Sequence, residues 1–285
     1  MTGPPPASAW TSDLSVAEAA AVRRVGLVPA GFVMGTAVMQ LVAGGGQLAG
    51  GWAMAGMTGM MGGTPRGYEA YPCAHGFGLV GSTAEHYGFN VEDAVLEASL
   101  TMGYTTVLDR LRHEAAGLGA HGVVGVELFY ENAVGSMGAA TFFARGTAVV
   151  HRGTDAPAAP FLTNASGQHF ERLVALGYVP AGLAVGVGAV YVQPNCQARG
   201  DVTVVGPIRQ LPRAIALARG RARAELAGCA HQLGEGVVHT DWSERRLSRY
   251  GESYDQLTVA VGTAVRRFHR QPGPQAPRPV LPLRP

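Results

Sequence analysis

The chain has 285 residues, of which 47% are hydrophobic and 15% charged, against the roughly 25% charged residues of an ordinary soluble domain. Its formal charge is +2, all 22 basic residues are arginine, and glycine occurs 41 times, about twice the usual share. The length suits about two domains, the composition excludes disordered, collagen-like and disulfide-rich classes, and the lack of lysine excludes Schiff-base and phosphate-loop lysine chemistry.

From Met1 to Trp10 there is neither a basic nor an apolar leader pattern, so no signal peptide is expected. Three cysteines, Cys73, Cys196 and Cys229, are expected as reduced thiols, and the chain is expected in the cytoplasm. Ser15 followed by Glu18 is a capping box that opens a short helix ending near Gly26. No charge occurs from Leu27 to Ala43, but Pro29, Gly31 and the triplet Gly44-Gly45-Gly46 argue against a membrane-spanning helix. The run Val28–Leu41 therefore predicts a buried strand, and no membrane partner is expected. A glycine-rich loop over 44–63 follows. Helical spacing predicts a long helix over 92–118, with Leu96, Leu100, Tyr104, Val107, Leu111 and Leu118 on its core stripe. Glu92, Glu97 and Glu114 fall off that stripe and are expected in solvent. Two strands, 123–130 and 139–150, close this half.

The second half repeats the first. Residues 15–41 align without gaps on 166–192, so that Gly26, Val28, Pro29, Ala30, Gly31 and Gly35 recur as Gly177, Val179, Pro180, Ala181, Gly182 and Gly186. Gly146-Thr147-Ala148-Val149 recurs as Gly262-Thr263-Ala264-Val265. A long helix is predicted over 207–233, with Ile208, Leu211, Ile215, Ala222, Leu226, Cys229 and Leu233 on its buried face, then strands over 236–242 and 256–268. Where the first half has Gly125 the second has His239. The fold class expected is α+β, with each half running short helix, strand, loop, long helix, strand, strand.

The run Leu118-Gly-Ala-His-Gly-Val-Val-Gly-Val126 after an Arg/Glu-rich helix, together with the Gly-Thr-Ala-Val closing strand, resembles the YbjQ-like family, labelled heavy-metal-binding. The resemblance implies two tandem β-α-β-β domains of the dodecin-like kind, each an antiparallel sheet packed on one long helix. It also implies ring-shaped, often pentameric, homo-oligomers. It carries no known reaction and no fixed ligand motif. The expected organisation is a flexible tail over 1–13, a first domain over 14–152 with a Gly/Met-rich insert over 44–90, a linker over 153–162, a second domain over 163–270 and a Pro-rich tail over 271–285.

Candidate chemistry is sparse. Met54, Met57, Met60 and Met61 cluster in the insert ahead of Cys73 and His75, and thioether, thiolate and imidazole donors suit Cu or Zn. The competing reading is an adaptable apolar loop that packs on a neighbour. Trp52, Tyr68 and Tyr71 are stacking candidates for a flat ligand between subunits. Arg209, Arg213, Arg219 and Arg223 share one face of the second long helix and form a candidate anion or partner face, although no nucleic-acid motif is present and nucleic acid is not the expected partner. Cys229 reads as a small buried hydrophobe and His121 as a turn residue. No nucleophile elbow, zinc-protease or phosphate-loop motif occurs, so the chain is expected not to be an enzyme and no catalytic residue is assigned. The tail, with Pro274-x-x-Pro277 and Pro279-x-x-Pro282, suits extended polyproline recognition by a partner protein. A structural scaffold without ligand and phosphate binding by the basic half are the alternatives. Residues 1–155 carry 7 Arg against 12 acids (−5) and residues 156–285 carry 15 against 8 (+7), so complementary halves are expected to attract one another in an assembly.

Overall fold

The structure is a computed structural model that describes residues 11–41, 67–72, 87–132, 139–199, 208–249 and 252–268. In chain order the elements are α1 (Val16–Arg24), β1 (Leu27–Gln40), β2 (Glu69–Pro72), β3 (Tyr87–Glu92), α2 (Ala94–Gly117), β4 (Gly122–Asn132), β5 (Ala139–His151), β6 (Phe161–Leu162), α3 (Gly167–Ala175), β7 (Tyr178–Gln193), α4 (Cys196–Arg199), α5 (Gln210–Leu233), β8 (Gly236–Ser248) and β9 (Tyr254–Arg267). This is a mixed α+β fold. The first sheet has the order β1-β5-β4-β6 and the second β2-β3-β7-β9-β8.

The charge-free run is strand β1, with alternating burial along its outer half, as its glycines and β-branched residues require. Among the described residues no helix is long and apolar enough to cross a membrane. Helix α1 starts with the predicted reciprocal cap: the Ser15 amide donates to Glu18 Oε2 at 2.8 Å and the Glu18 amide donates to Ser15 Oγ.

Each sheet is bent by bulges at matching places. One extra residue, Ala30 or Ala181, sits in β1 or β7, and a second bulge lies between Val124 and Glu127 in β4 and between Val238 and Asp241 in β8. The second bulge of each sheet places one residue at positive φ, as G1-type bulges do. Gly125 supplies it in β4 (φ 64°), and His239 takes the same conformation in β8 (φ 51°).

Helix α2 lies between the sheets. Leu96, Leu100, Tyr104, Val107 and Leu111 share one core with Val33, Ala37 and Phe142 of the first sheet and with Leu183, Val187 and Leu257 of the second. Leu118, placed on the stripe by its spacing, is 47% exposed because the helix has ended at Gly117. Helix α5 covers the opposite face of the second sheet. Its buried stripe is Gln210, Ala214, Ala218, Ala222, Leu226 and Ala230, which shares only Ala222 and Leu226 with the predicted face: Ile208 is exposed, and Leu211, Ile215, Cys229 and Leu233 are half-buried. Small side chains win there because Gly186 and Gly188 of β7 let the helix backbone come so close that a Cβ at either would strike Ala222 O or Ala218 O.

Of the glutamates expected in solvent, Glu114 is exposed, whereas Glu92 is half-buried and Glu97 buried. Glu97 is 6% exposed, accepts from the Ala189 amide at 3.0 Å and pairs with Arg221 at 2.9 Å. Glu92 lies 3.6 Å from the same guanidinium, and Glu114 accepts from the Met34 amide at 2.8 Å. From the insert, β3 pairs with β7 of the second half and β2 with β3, and β6, from the linker, pairs in parallel with β4, so the second sheet borrows strands from the first half's sequence. Cys229 is free, half-buried and packed beside Ala222 and Leu226, whereas Cys196 is disulfide-bonded. The expectation of reduced thiols is thereby corrected for Cys196, and with it the cysteine argument for a reducing compartment.

Candidate ligand groove between the halves

The segment that leads from β6 into α3 runs along the β4 bulge: the Gly125 amide donates to Ala165 O at 3.0 Å and the Val126 amide to Thr163 O at 2.9 Å. Its side chains reach the second half. Thr163 Oγ1 lies 2.7 Å from Thr263 Oγ1, which donates to Asn164 Oδ1 at 2.6 Å. The Asn164 side-chain Nδ2 donates to His239 O at 2.7 Å and to Asp241 Oδ2 at 2.9 Å. All three side chains of this network are buried, and each polar atom is used, so it fixes the two bulges against one another.

Beside the network a groove of about 530 Å³ opens between the sheets. Four carboxylates line it: Asp13, Glu18, Glu127 and Asp241. No guanidinium does, although Arg145 reaches Glu127 at 2.7 Å and Asp13 at 3.6 Å. Phe129 and Trp242 present aromatic surface; Trp242 is 44% exposed. Each already carries a cation over its face, Arg145 at 5.0 Å from Phe129 and Arg223 at 5.8 Å from Trp242. The aromatic faces are thus already partnered, and it is the carboxylates of the lining that favour positive charge, by Coulomb attraction.

At the rim, His239 projects from the β8 bulge and meets His169 of α3, with ring centroids 4.7 Å apart. His169 Nδ1 lies 3.1 Å from Ser166 Oγ, the cap of α3. The other imidazole pair, His121 and His151, is differently built. The His151 amide donates to His121 Nδ1 at 3.2 Å, and Thr154 Oγ1 lies 2.8 Å from His121 Nε2 and 3.2 Å from His151 Nδ1. Among the described residues no group of three or more His, Cys, Asp or Glu side chains is set to hold a metal ion.

Met54, Met57, Met60, Met61, Cys73 and His75 lie outside the described residues, as do Trp52 and the Pro-rich tail. Of the other stacking candidates, Tyr68 packs on Phe89 at 5.8 Å, and Tyr71 donates its hydroxyl to Glu69, burial being the first cause that holds its pKa above the ordinary tyrosine value. The arginine face is not a set of free charges: Arg213 pairs with Glu69 at 2.6 Å, Arg219 with Glu244, and Arg223 stacks on Trp242, while Arg209 stands exposed at the N-terminus of α5. His239 in place of Gly125 was the one readable trace of the groove. His169 had none, because its neighbour is 70 residues away in sequence and is supplied by the closure of the halves.

No curated protein matches the chain, and no solved structure matches it. Residues 91–152, from the end of β3 through β5, match the family described as "Putative heavy-metal-binding" (YbjQ).

Proposed function

We propose that the chain is a non-enzymatic protein of two tandem β-α-β-β units of the dodecin-like kind, which binds a cation in the groove between its halves and assembles with copies of itself. The lining carries the binding reading: four carboxylates and no guanidinium. The heavy-metal description attaches to residues 91–152, where His121 has no free nitrogen for an ion, since both are already hydrogen-bonded. That segment lines one wall of the groove, Glu127 included, and the remaining carboxylates, Asp13, Glu18 and Asp241, come from outside it. Titration of the untagged full chain with divalent metal salts and with a small organic cation tests the reading. Saturable binding weakened by Asp241→Asn supports it; no binding of either class leaves a scaffold without ligand.

A second observation supports assembly. The second sheet is covered on both faces, by α5 on one and by the core around α2 on the other. The second face of the first sheet is covered by α1 and α3 only around Leu27, Val124 and Val149, leaving Met34 at 48% and Val38 at 72% exposed. By the 151-residue offset of the repeat, Met34 and Val38 match Val185 and Ala189, which face the first half inside the chain. A head-to-tail partner is thus offered to the bare face by a second copy, and such heterologous contacts close into rings when the rotation permits. Native mass spectrometry is expected to give a homo-oligomer that Val38→Arg dissociates; a monomeric wild type would overturn the assembly reading.

A further inference from the structure

We propose that His169 and His239 together form a divalent transition-metal site at the rim of the groove, an inference that rests on reading the groove as a cation site. Its residues lie outside the segment that matches the heavy-metal family.

The spacing fits. A metal held by two imidazole nitrogens at about 2.0–2.1 Å lies about 3.2 Å from each ring centre, so bond angles of roughly 90–110° place the centres about 4.5–5.2 Å apart. The observed separation is 4.7 Å. Hydrogen bonding also leaves nitrogens free on both rings. The contact from Ser166 Oγ to His169 Nδ1 fixes that ring and leaves Nε2 for the ion, which is how ligating histidines are ordinarily oriented. The His239 ring makes no hydrogen bond to any described residue.

Backbone strain points the same way. Among the described residues His239 is the one non-glycine residue with positive φ, at a bulge where the first half uses glycine. A residue with a β-carbon costs free energy there, and such strain collects at binding sites. What His adds over Gly is an imidazole beside His169. Asp241, two residues on and held by Asn164, adds negative charge to the same rim. Two imidazoles without a thiolate select Cu²⁺, Ni²⁺ or Zn²⁺ over Mg²⁺ and Ca²⁺.

The test is isothermal titration of the untagged full chain with NiCl2, ZnCl2 and MgCl2, with His169→Ala and His239→Gly in parallel. The wild type is expected to bind one Ni²⁺ or Zn²⁺ per chain and to ignore Mg²⁺. Each variant should lose affinity by at least about tenfold. His239→Gly should at the same time resist urea as well as the wild type or better, because Gly relieves the strain. Loading with Cu²⁺ should give an electron paramagnetic resonance spectrum with nitrogen couplings that both variants lose. Equal affinity in wild type and variants would overturn the imidazole assignment and leave the groove reading standing. An organic cation that binds where no metal does would have the same meaning, and failure of every cation would remove both.

Discussion

The Arg221 guanidinium on α5 reaches the Glu97 carboxylate on α2 at 2.9 Å, joining the long helices of the two halves. The same arginine lies 3.6 Å from Glu92 and 3.3 Å from Glu225, and its pKa is raised above the ordinary arginine value, first by the hydrogen bond to Glu97. Glu97 is also held by the Ala189 amide of β7. Removing one member strands a buried charge, which in such pairs costs about 3–5 kcal/mol. Arg221→Met is therefore expected to lower the urea midpoint sharply, whereas the double change Arg221→Met with Glu97→Leu recovers much of the loss. Additive losses in the two single variants would show that the pair is not coupled.

The approach of α5 to β7 rests on glycine. A Cβ at position 186 would collide with Ala222 O and with the Leu226 amide, both helix backbone, so no rotamer change relieves it. Gly186→Ala should destabilise by roughly 2–3 kcal/mol through overpacking. Gly220, on the exposed side of α5, has nothing within 4 Å of such a Cβ. Gly220→Ala should be neutral or stabilising, since alanine favours the helix by about 1 kcal/mol. Chemical denaturation of both variants checks the contrast, and equal effects would mean that the helix does not sit this close.

How far these features can be read from sequence depends on how local their causes are. The cap at Ser15 and Glu18 and the span of β1 follow from neighbouring residues, and both stand. The stripe of α2 was legible because its Leu, Tyr and Val are large. The stripe of α5 was legible only at Ala222 and Leu226, since alanines otherwise face the sheet and the bulky Leu211 and Ile215 are half-buried beside it. Glu97 was misread because α2 has buried neighbours on two sides, a consequence of the second sheet folding over it. The pairing of β3 with β7 joins segments about 100 residues apart, and no local pattern encodes it. In the groove, the bulge at His239 left a trace by alignment with Gly125; the network of Asn164, Thr163 and Thr263 left none.

Cys196 offers a direct chemical count. The chain has three cysteines, Cys229 is free, and Cys196 is disulfide-bonded. A disulfide consumes two sulfurs. Thiol titration of the unreduced, denatured protein is therefore expected to give one thiol per chain, and titration after reduction three. Cys196 lies at the start of α4, where the Asn195 amide donates to Gln210 Oε1 at 3.0 Å and ties the segment to α5. Reduction should thus loosen α4 before the sheets. Three thiols in protein purified without reductant would show that the bridge does not form in solution.

Asp255 on β9 gives the fold a pH dependence of defined sign. Burial pushes its carboxyl up to about 6 from an ordinary 3.8; the hydrogen bond and charge of Arg249 pull it down, and the carboxylate of Asp93 pushes it up. Arg249 bridges the two acids, at 3.4 Å from Asp93 and in contact with Asp255. Between about pH 4 and pH 6 the folded chain holds a proton here that the unfolded chain has released. The contribution of this group is therefore fully present below that window and is lost as pH rises through about 6. Asp255→Asn removes the titration while keeping the shape and a hydrogen-bonding group toward Arg249. The difference in unfolding free energy, wild type minus variant, should fall steadily from pH 4 to pH 7 and then level. Urea denaturation of both proteins at four or five pH values measures it. A difference that does not change with pH would show that Asp255 stays ionised throughout, with Arg249 outweighing the burial that otherwise dominates.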